Sequence, residues 1–191
     1  MSLKILGGAA RGFSLAAPKT SDTRPTSVLI RRKIFDWRQQ LEGHRFIDLC
    51  AGSGAMGFEA LSRGADEIFL VESGRQAFRA MKDNQERLEK AFADLNRINT
   101  FSMDAVKWLS QFMSFELAQD EQTILFMDPP YEDHKLYVTI LDLLKAKDFK
   151  GEVWIEADRL VSKNFDLLNS YLDLTKTVEQ GDHFVLIGKL V

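Results

Sequence analysis

The chain has 191 residues, of which 45% are hydrophobic and 28% charged, which suits one ordinary domain with a substantial core. It has neither an apolar run long enough to span a bilayer nor a signal-peptide core at its start, so we expect a cytoplasmic protein. The formal net charge is −3, but residues 1–45 carry nine Lys/Arg against three Asp/Glu, which favours phosphate contacts at the front of the chain.

The first predicted elements form a small extension. Lys4-Ile5-Leu6 and Phe13-Ser14-Leu15 predict a hairpin around three glycines, and a helix is predicted from about Ser27 to Leu41. We therefore divide the chain into a basic N-terminal extension, residues 1–42, and a main domain, residues 43–191.

Strands and helices then alternate. Apolar runs predict strands at Phe46–Cys50, Glu67–Val71, Ile98–Phe101, Ile124–Met127 and Val153–Ile155. Helices are predicted at Ala55–Arg63, Arg75–Phe92, Ala105–Phe112 and Lys135–Lys145. This pattern indicates an α/β fold, with a mostly parallel sheet and helices on both faces. The last two runs, Tyr171–Val178 and His183–Leu190, are joined by a link short enough only for an antiparallel hairpin.

A glycine-rich loop follows the first strand. The run from Ile47 to Gly57 contains Gly-x-Gly-x-x-Gly, and ligands of doubly wound sheets bind at the carboxyl ends of the strands, so this loop should line the main site. Glu72 closes the second strand, 18 positions after Gly54, where a carboxylate accepts ribose hydroxyls of either NAD or S-adenosylmethionine. These features do not choose between the two cofactors.

Two acidic residues favour S-adenosylmethionine. Asp48, inside the first strand, would repel a pyrophosphate but suits an ammonium and a sulfonium. Asp128-Pro129-Pro130-Tyr131 follows the fourth strand as a rigid, non-helical loop. Asp128 and the Pro129 carbonyl could each accept one hydrogen of a nucleobase amino group, leaving its lone pair to attack a methyl donor. Tyr131 could then stack on the flipped base.

Each motif also has a purely structural interpretation. A lone glycine motif occurs in loops without a cofactor, and Pro-Pro is common in turns, but their joint position at the carboxyl ends of strands favours methyl transfer. Asp104, after the third strand, either accepts from the cofactor's adenine amino group or only caps the next helix. Cys50 lies in an apolar run that favours a packing role. His44, His134 and His183 fall in no metal-ligand spacing, so no metal is expected.

Together these motifs resemble class I S-adenosylmethionine-dependent methyltransferases, and more narrowly the bacterial family that methylates guanine N2 in 16S ribosomal RNA of the small subunit. The resemblance is carried by Gly7-Gly8, Arg11-Gly12, Arg24-Pro25-Thr26, Arg31, Phe35, Asp48 to Gly57, Glu72 and Asp128 to Tyr131. It implies a seven-stranded sheet with a terminal hairpin, preceded by an extension that helps to hold the RNA. The expected cofactor residues are Asp48, Ala51, Gly52, Ser53, Gly54, Glu72 and Asp104.

The match has two departures. Val28-Leu29 stands where family members usually carry Asp-Arg, and Phe13 stands where a basic residue commonly follows Arg-Gly. The expected phosphate contacts are Arg11, Arg24, Arg31 and Arg32, with ordinary surface charge as the alternative for Arg32.

We expect a monomeric enzyme that acts on ribosomal RNA or the small ribosomal subunit. The alternatives are a DNA or RNA adenine-N6 methyltransferase, a protein-glutamine methyltransferase, an NAD-dependent oxidoreductase and a non-catalytic RNA-binding module.

Overall fold

The computed structural model describes residues 3–17, 28–130, 132–159 and 165–191. Its strands are β1 (Leu3–Lys4), β2 (Ser14–Leu15), β3 (Arg45–Leu49), β4 (Glu67–Glu72), β5 (Ile98–Ser102), β6 (Thr123–Met127), β7 (Glu152–Asp158), β8 (Leu172–Gln180) and β9 (His183–Leu190). Its helices are α1 (Val28–Trp37), α2 (Ala55–Ser62), α3 (Arg75–Ala91), α4 (Ala105–Gln111), α5 (Phe115–Gln119), α6 (His134–Ala146) and α7 (Phe165–Asn169).

Seven strands form one sheet in the order β5-β4-β3-β6-β7-β9-β8. Strands β3 to β7 run parallel, and β9 pairs antiparallel with both β7 and β8. The chain runs outward from β3 to β5 and then returns to place β6 on the other side of β3. The strand order therefore reverses between β3 and β6, where folds of this class bind ligands. The predicted fold class, including the terminal hairpin, is confirmed.

The central strands are buried on both faces. Every residue of β6 is buried, as expected for a parallel strand with helices on both sides. On one face, Phe46 and Trp154 pack with Phe35 of α1, with ring centroids 5.6–6.5 Å apart. On the other face, a second core holds Leu125 and residues of α4 and α6. The sheet is thus held rigidly behind the loops at its carboxyl edge.

The predicted N-terminal hairpin is also confirmed, and it lies directly against α2. The buried carboxylate of Glu59 accepts hydrogen bonds from the backbone N–H groups of Leu6 at 2.7 Å and Gly7 at 2.9 Å. Gly8, with φ 73°, lies so close that an added Cβ would be 1.8 Å from the Ser62 carbonyl oxygen. The division of the chain at residue 42 stays a prediction, while residues 3–17 contribute to the core that α2 also lines.

Three elements, α5, α7 and β7, differ from the prediction for local reasons. Helices α5 and α7 have only five residues each, too short for a periodic pattern to reveal them. Strand β7 continues to Asp158, beyond its expected end at Ile155, because Glu156 and Asp158 are held in register by β9 although both are acidic.

Within the described parts of the chain, no helix is long and apolar enough to cross a bilayer.

Candidate active site

The loops that follow β3, β4 and β6 meet at one edge of the sheet. Leu49 of β3 pairs in register with Val71 of β4 and Met127 of β6. The residues next in sequence, Cys50, Glu72 and Asp128, therefore lie at the same level, at the carboxyl ends of three neighbouring strands. This edge contains the point where the strand order reverses, and most of the predicted cofactor and catalytic residues lie along it.

The glycine-rich loop makes a tight turn out of β3. Gly54 donates a hydrogen bond to the Ala51 carbonyl at 2.7 Å. Gly54 has φ 81°, and an added Cβ would lie 2.4 Å from the Phe58 ring, so this position requires glycine. Gly52, with φ 57°, has no atom within 4 Å of an added Cβ, which leaves its outer side open to a ligand. The buried Ser53 completes this loop.

Cys50 differs from its predicted place in the first strand. It follows β3 in a left-handed conformation, with φ 68°, and is half-buried. Burial raises the pKa of its thiol far above the usual value, and the carboxylates of Asp128, Glu72 and Asp48 raise this pKa further. Because the thiolate is the reactive form of cysteine, this raised pKa argues against a nucleophilic role for Cys50.

Glu72 joins the loops that follow β3 and β4. Its Oε2 accepts a hydrogen bond from the Gly52 N–H at 2.7 Å, and its Oε1 accepts one from the Gly74 N–H at 2.5 Å. Each carboxylate oxygen has two lone-pair sites, so both keep room for another donor. Glu72 is therefore able to accept two hydroxyl groups while it holds both loops.

Asp48 is a buried carboxylate with an incomplete set of hydrogen bonds. It is 1% exposed, and its Oδ2 accepts from the Gly57 N–H at 3.3 Å. Its Oδ1 is buried without a hydrogen-bond partner among the described residues. Burial raises the pKa of Asp48 well above its usual value, and the charges of Asp128 and Glu72 add to this effect. A nearby anion would disfavour ionisation of Asp48 still further, whereas a cationic group would favour its ionised form.

The segment Asp128-Pro129-Pro130 leaves β6 as an extended loop. Asp128 is half-buried, Pro129 is buried and Pro130 is exposed. The Pro130 carbonyl accepts from the Asp133 N–H at 2.9 Å, which turns the chain into α6. The Pro129 carbonyl oxygen lies 3.1 Å from the Tyr137 hydroxyl. Tyr131 lies outside the described residues, so its stacking role stays a prediction.

Asp104 caps α4, as one of its two interpretations expected. Its Oδ1 accepts from the Lys107 N–H at 2.8 Å, while the residue remains exposed at the end of β5. A contact with a cofactor adenine stays a prediction.

The predicted phosphate contacts fall into different environments. Arg11 is exposed in the turn between β1 and β2, and Arg32 is exposed on α1, whereas Arg24 lies outside the described residues. Arg31 is completely buried, and its guanidinium donates to the carbonyls of Lys4 at 2.7 Å and Ala55 at 3.2 Å. The prediction for Arg31 is therefore corrected: this residue ties β1 to the start of α2, out of reach of an RNA backbone.

The family follows from comparison with known proteins. The model of the family described as conserved hypothetical protein 95 matches residues 3–189. The chain belongs to this family. Ribosomal RNA small subunit methyltransferase D of Escherichia coli K12 is 32% identical over 139 residues, which cover 72% of this chain and 65% of that protein. The protein of the same name from Buchnera aphidicola (Acyrthosiphon pisum) is 29% identical over 170 residues, which cover 85% of this chain and 84% of that protein.

A solved structure supports the fold assignment. The T. thermophilus 16S rRNA N2 methyltransferase, in complex with AdoMet and guanosine, has a TM-score of 0.69 at 16% identity. The alignment covers 100% of this chain and 50% of that one. This likeness confirms the fold. The family match and the relatives named above show that the chain is a methyltransferase of the family to which the small subunit enzymes D belong.

Asn84 contacts the glycine-rich loop, and its role was not predicted from the sequence. Asn84 of α3 is fully buried, and its amide donates to the Ser53 carbonyl at 3.1 Å and the Ala16 carbonyl at 2.9 Å. Its Oδ1 accepts from the Ala16 N–H at 2.7 Å. Asn84 therefore connects the glycine-rich loop to the end of the hairpin. The sequence feature that could have revealed Asn84 is its position between Met81 and Leu88, as a polar residue on the apolar side of an amphipathic helix.

Proposed function

We propose that the chain transfers a methyl group from S-adenosylmethionine to the exocyclic N2 amino group of a guanine in small-subunit ribosomal RNA. The observation that carries this proposal is the meeting of Asp48, Glu72 and the Asp128-Pro129 segment at the carboxyl ends of three adjacent strands. The names of the two curated relatives support the RNA class, and the resemblance of the Asp-Pro-Pro-Tyr motif supports an amino group as acceptor.

The residues beside the glycine-rich loop suit the proposed cofactor. S-adenosylmethionine supplies a methyl carbon made electrophilic by a positively charged sulfur. The buried Oδ1 of Asp48 offers an acceptor to the positive charges of such a ligand, and Glu72 offers one free lone-pair site on each oxygen to ribose hydroxyls. The open side of Gly52 allows the ligand to approach the backbone closely. Asp104 is the proposed partner of the adenine amino group.

The segment after β6 provides the proposed acceptor site. The lone pair of a nucleobase amine is delocalised into the ring, so the amine is a poor nucleophile. If Asp128 and the Pro129 carbonyl each accept one N–H hydrogen, the nitrogen becomes pyramidal and its lone pair is aimed at the methyl carbon. Asp128 then accepts the proton that the methylated nitrogen releases. Positioning and electrostatics supply the catalysis, with Pro130 stiffening the loop and Tyr131 stacking on the flipped base.

The extension provides the proposed contacts with the RNA backbone. Arg11 and Arg32 are exposed cations. Arg24 lies outside the described residues, so its phosphate contact is proposed from the sequence alone. Val28 and Leu29 begin α1 with 36% and 52% exposure, so the surface near Arg32 is apolar where family members usually carry charge. We therefore propose that phosphate binding depends on few arginines and weakens steeply with salt.

A methyl-transfer assay tests the proposed function. Tritium from labelled S-adenosylmethionine is followed onto small-subunit particles and naked RNA from a strain that lacks the gene, and nucleosides are then separated. N2-methylguanosine is the expected product, whereas N6-methyladenosine would show that the acceptor is the amino group of an adenine. Asp128→Ala should abolish transfer and keep binding of S-adenosylhomocysteine, and Asp173→Ala, an exposed change on β8, should keep both.

Absence of any transfer by the wild-type protein, with RNA still bound, would favour the non-catalytic binding module.

A further inference from the structure

Tyr137 connects the loop after β6 to the neighbouring strand β7. The residue lies in the first turns of α6 and is 1% exposed. Its hydroxyl oxygen lies 3.1 Å from the carbonyl oxygen of Pro129 and 2.9 Å from that of Glu156 in β7. Glu156 is fixed in turn by its register opposite Val185 of β9. A single buried hydroxyl thus lies between the proposed amine acceptor and the rigid sheet.

Among the described residues, two backbone hydrogen bonds flank the Pro129 carbonyl. Neither Pro129 nor Pro130 has a backbone N–H, so this segment offers no donor to a neighbouring strand. The last backbone contact toward β3 joins the Asp128 N–H to the Leu49 carbonyl, and at 3.5 Å it is at the limit of a hydrogen bond. The next anchor is the 2.9 Å bond from the Asp133 N–H to the Pro130 carbonyl. Between these two points, the Tyr137 hydroxyl contacts the Pro129 carbonyl and so helps to orient the Pro129 peptide plane.

We propose that Tyr137 is a positioning residue for methyl transfer, in that its hydroxyl sets the direction of the Pro129 carbonyl that accepts the target amine. The inference rests on the proposed function, because it requires that carbonyl to contact the amino group. It adds to that function a buried residue, outside the Asp-Pro-Pro-Tyr motif, that acts through Pro129 and not on the substrate itself.

The hydrogen-bond count allows both contacts at Pro129. A hydroxyl has one proton, while a carbonyl oxygen has two lone pairs. Tyr137 therefore leaves at least one lone pair of Pro129 for the amine. Its proton is also able to turn toward the Glu156 carbonyl without moving a heavy atom, since both carbonyls are within 3.1 Å of the oxygen. As positive charge develops on the amine, Pro129 is then free to bind it with its full acceptor strength.

The test compares two changes that each remove one phenolic hydroxyl. Tyr137→Phe keeps the ring and removes the bridge, and Tyr171→Phe removes an exposed hydrogen bond to Asp142 at 2.9 Å. Steady-state methylation rates are measured over a series of RNA concentrations at saturating S-adenosylmethionine, which gives kcat and KM for RNA. Rates are normalised to the protein fraction that binds labelled S-adenosylmethionine, so any misfolded protein does not count.

We expect Tyr137→Phe to lower kcat by about tenfold, with KM for RNA and the Kd of S-adenosylhomocysteine changed by less than about twofold. Tyr171→Phe should leave all three values within about twofold of wild type. An unchanged kcat in Tyr137→Phe, beside an active wild type, overturns this inference alone, and so does an equal loss of cofactor affinity, which indicates a general structural role. A wild-type protein that methylates no nucleobase amine overturns the proposed function and this inference with it.

Discussion

The carboxylate of Glu72 and the backbone N–H of Gly52 are joined by a 2.7 Å hydrogen bond across 20 residues of sequence. The other oxygen of Glu72 holds Gly74, so one side chain fixes the loops that follow two adjacent strands. The predicted ribose acceptor therefore also has a structural task. Both loops are shaped before any ligand arrives, which lowers the entropy lost on binding.

Glu72→Gln should weaken cofactor binding by at least about tenfold, because hydrogen bonds to a charged acceptor contribute about 1.5–3 kcal/mol each. The amide has only one oxygen, and its NH2 group must face either the Gly52 or the Gly74 N–H. Calorimetry with S-adenosylhomocysteine measures the loss. The control is Glu67→Gln, at the opposite end of β4, where the carboxylate accepts from Asn99. Equal affinities for both variants would contradict a role of Glu72 in shaping the two loops for the cofactor.

Asp48→Asn should change how stability depends on pH. The pKa of Asp48 is raised in the folded chain above its unfolded value of about 3.9, so the native state binds more protons than the unfolded state between these two values. The free energy of unfolding therefore falls as the pH rises through this window, and asparagine removes this loss. The stability of Asp48→Asn relative to wild type should rise from pH 4 toward neutral pH.

Urea unfolding of the ligand-free proteins at a series of pH values measures this difference. Asp94→Asn, an exposed change between α3 and β5, serves as the control and should track wild type at every pH. A difference between Asp48→Asn and wild type that does not vary with pH would refute the assignment of this loss to Asp48.

Glu59→Gln should loosen the extension from α2. The buried carboxylate accepts from Leu6, Gly7 and the Arg63 Nε at 2.7–2.9 Å. Glutamine keeps one acceptor oxygen but loses the charge, so at least one donor and the largely buried Arg63 cation lose their partner. We expect a decrease in the free energy of unfolding of about 3 kcal/mol, whereas Glu86→Gln on the exposed side of α3 should stay within about 0.5 kcal/mol of wild type. Denaturant titration gives both values. A small effect at Glu59 would mean that the hairpin docks through its apolar residues alone.

Arg11→Ala should weaken RNA binding, and the slope of log affinity against log salt should fall by about one because one phosphate contact is lost. Thermal stability should not change, since Arg11 is exposed. Arg31→Ala should leave the salt slope unchanged and lower the thermal stability, because the substitution removes the hydrogen bonds to the carbonyls of Lys4 and Ala55. Filter binding over a salt series separates the two cases. A normal salt slope in Arg11→Ala would remove this residue from the interface.

The sequence by itself determined the parallel sheet, the terminal hairpin and the chemistry of the loops, because these depend on local pattern. Apolar runs alternating with amphipathic helices are visible along the chain, and so are Gly-x-Gly-x-x-Gly and Asp-Pro-Pro-Tyr at the ends of those runs. Topology then places the carboxyl ends of the parallel strands β3 to β7 at one edge. Asp48 and Glu72 could be predicted for this reason without coordinates.

Tertiary structure alone decided the roles of side chains whose partners are distant in sequence. Arg31 looks like a surface cation on a basic helix, and only the docked hairpin shows that it is buried. In the sequence, Asn84 looks like a polar break in the apolar face of its helix, and Tyr137 looks like an ordinary core residue. In the structure, each forms a hydrogen bond to a loop of the site. The physical reason is that a hydrogen bond depends on distance and direction in space, and sequence pattern specifies which face a residue occupies but not which atom it meets there.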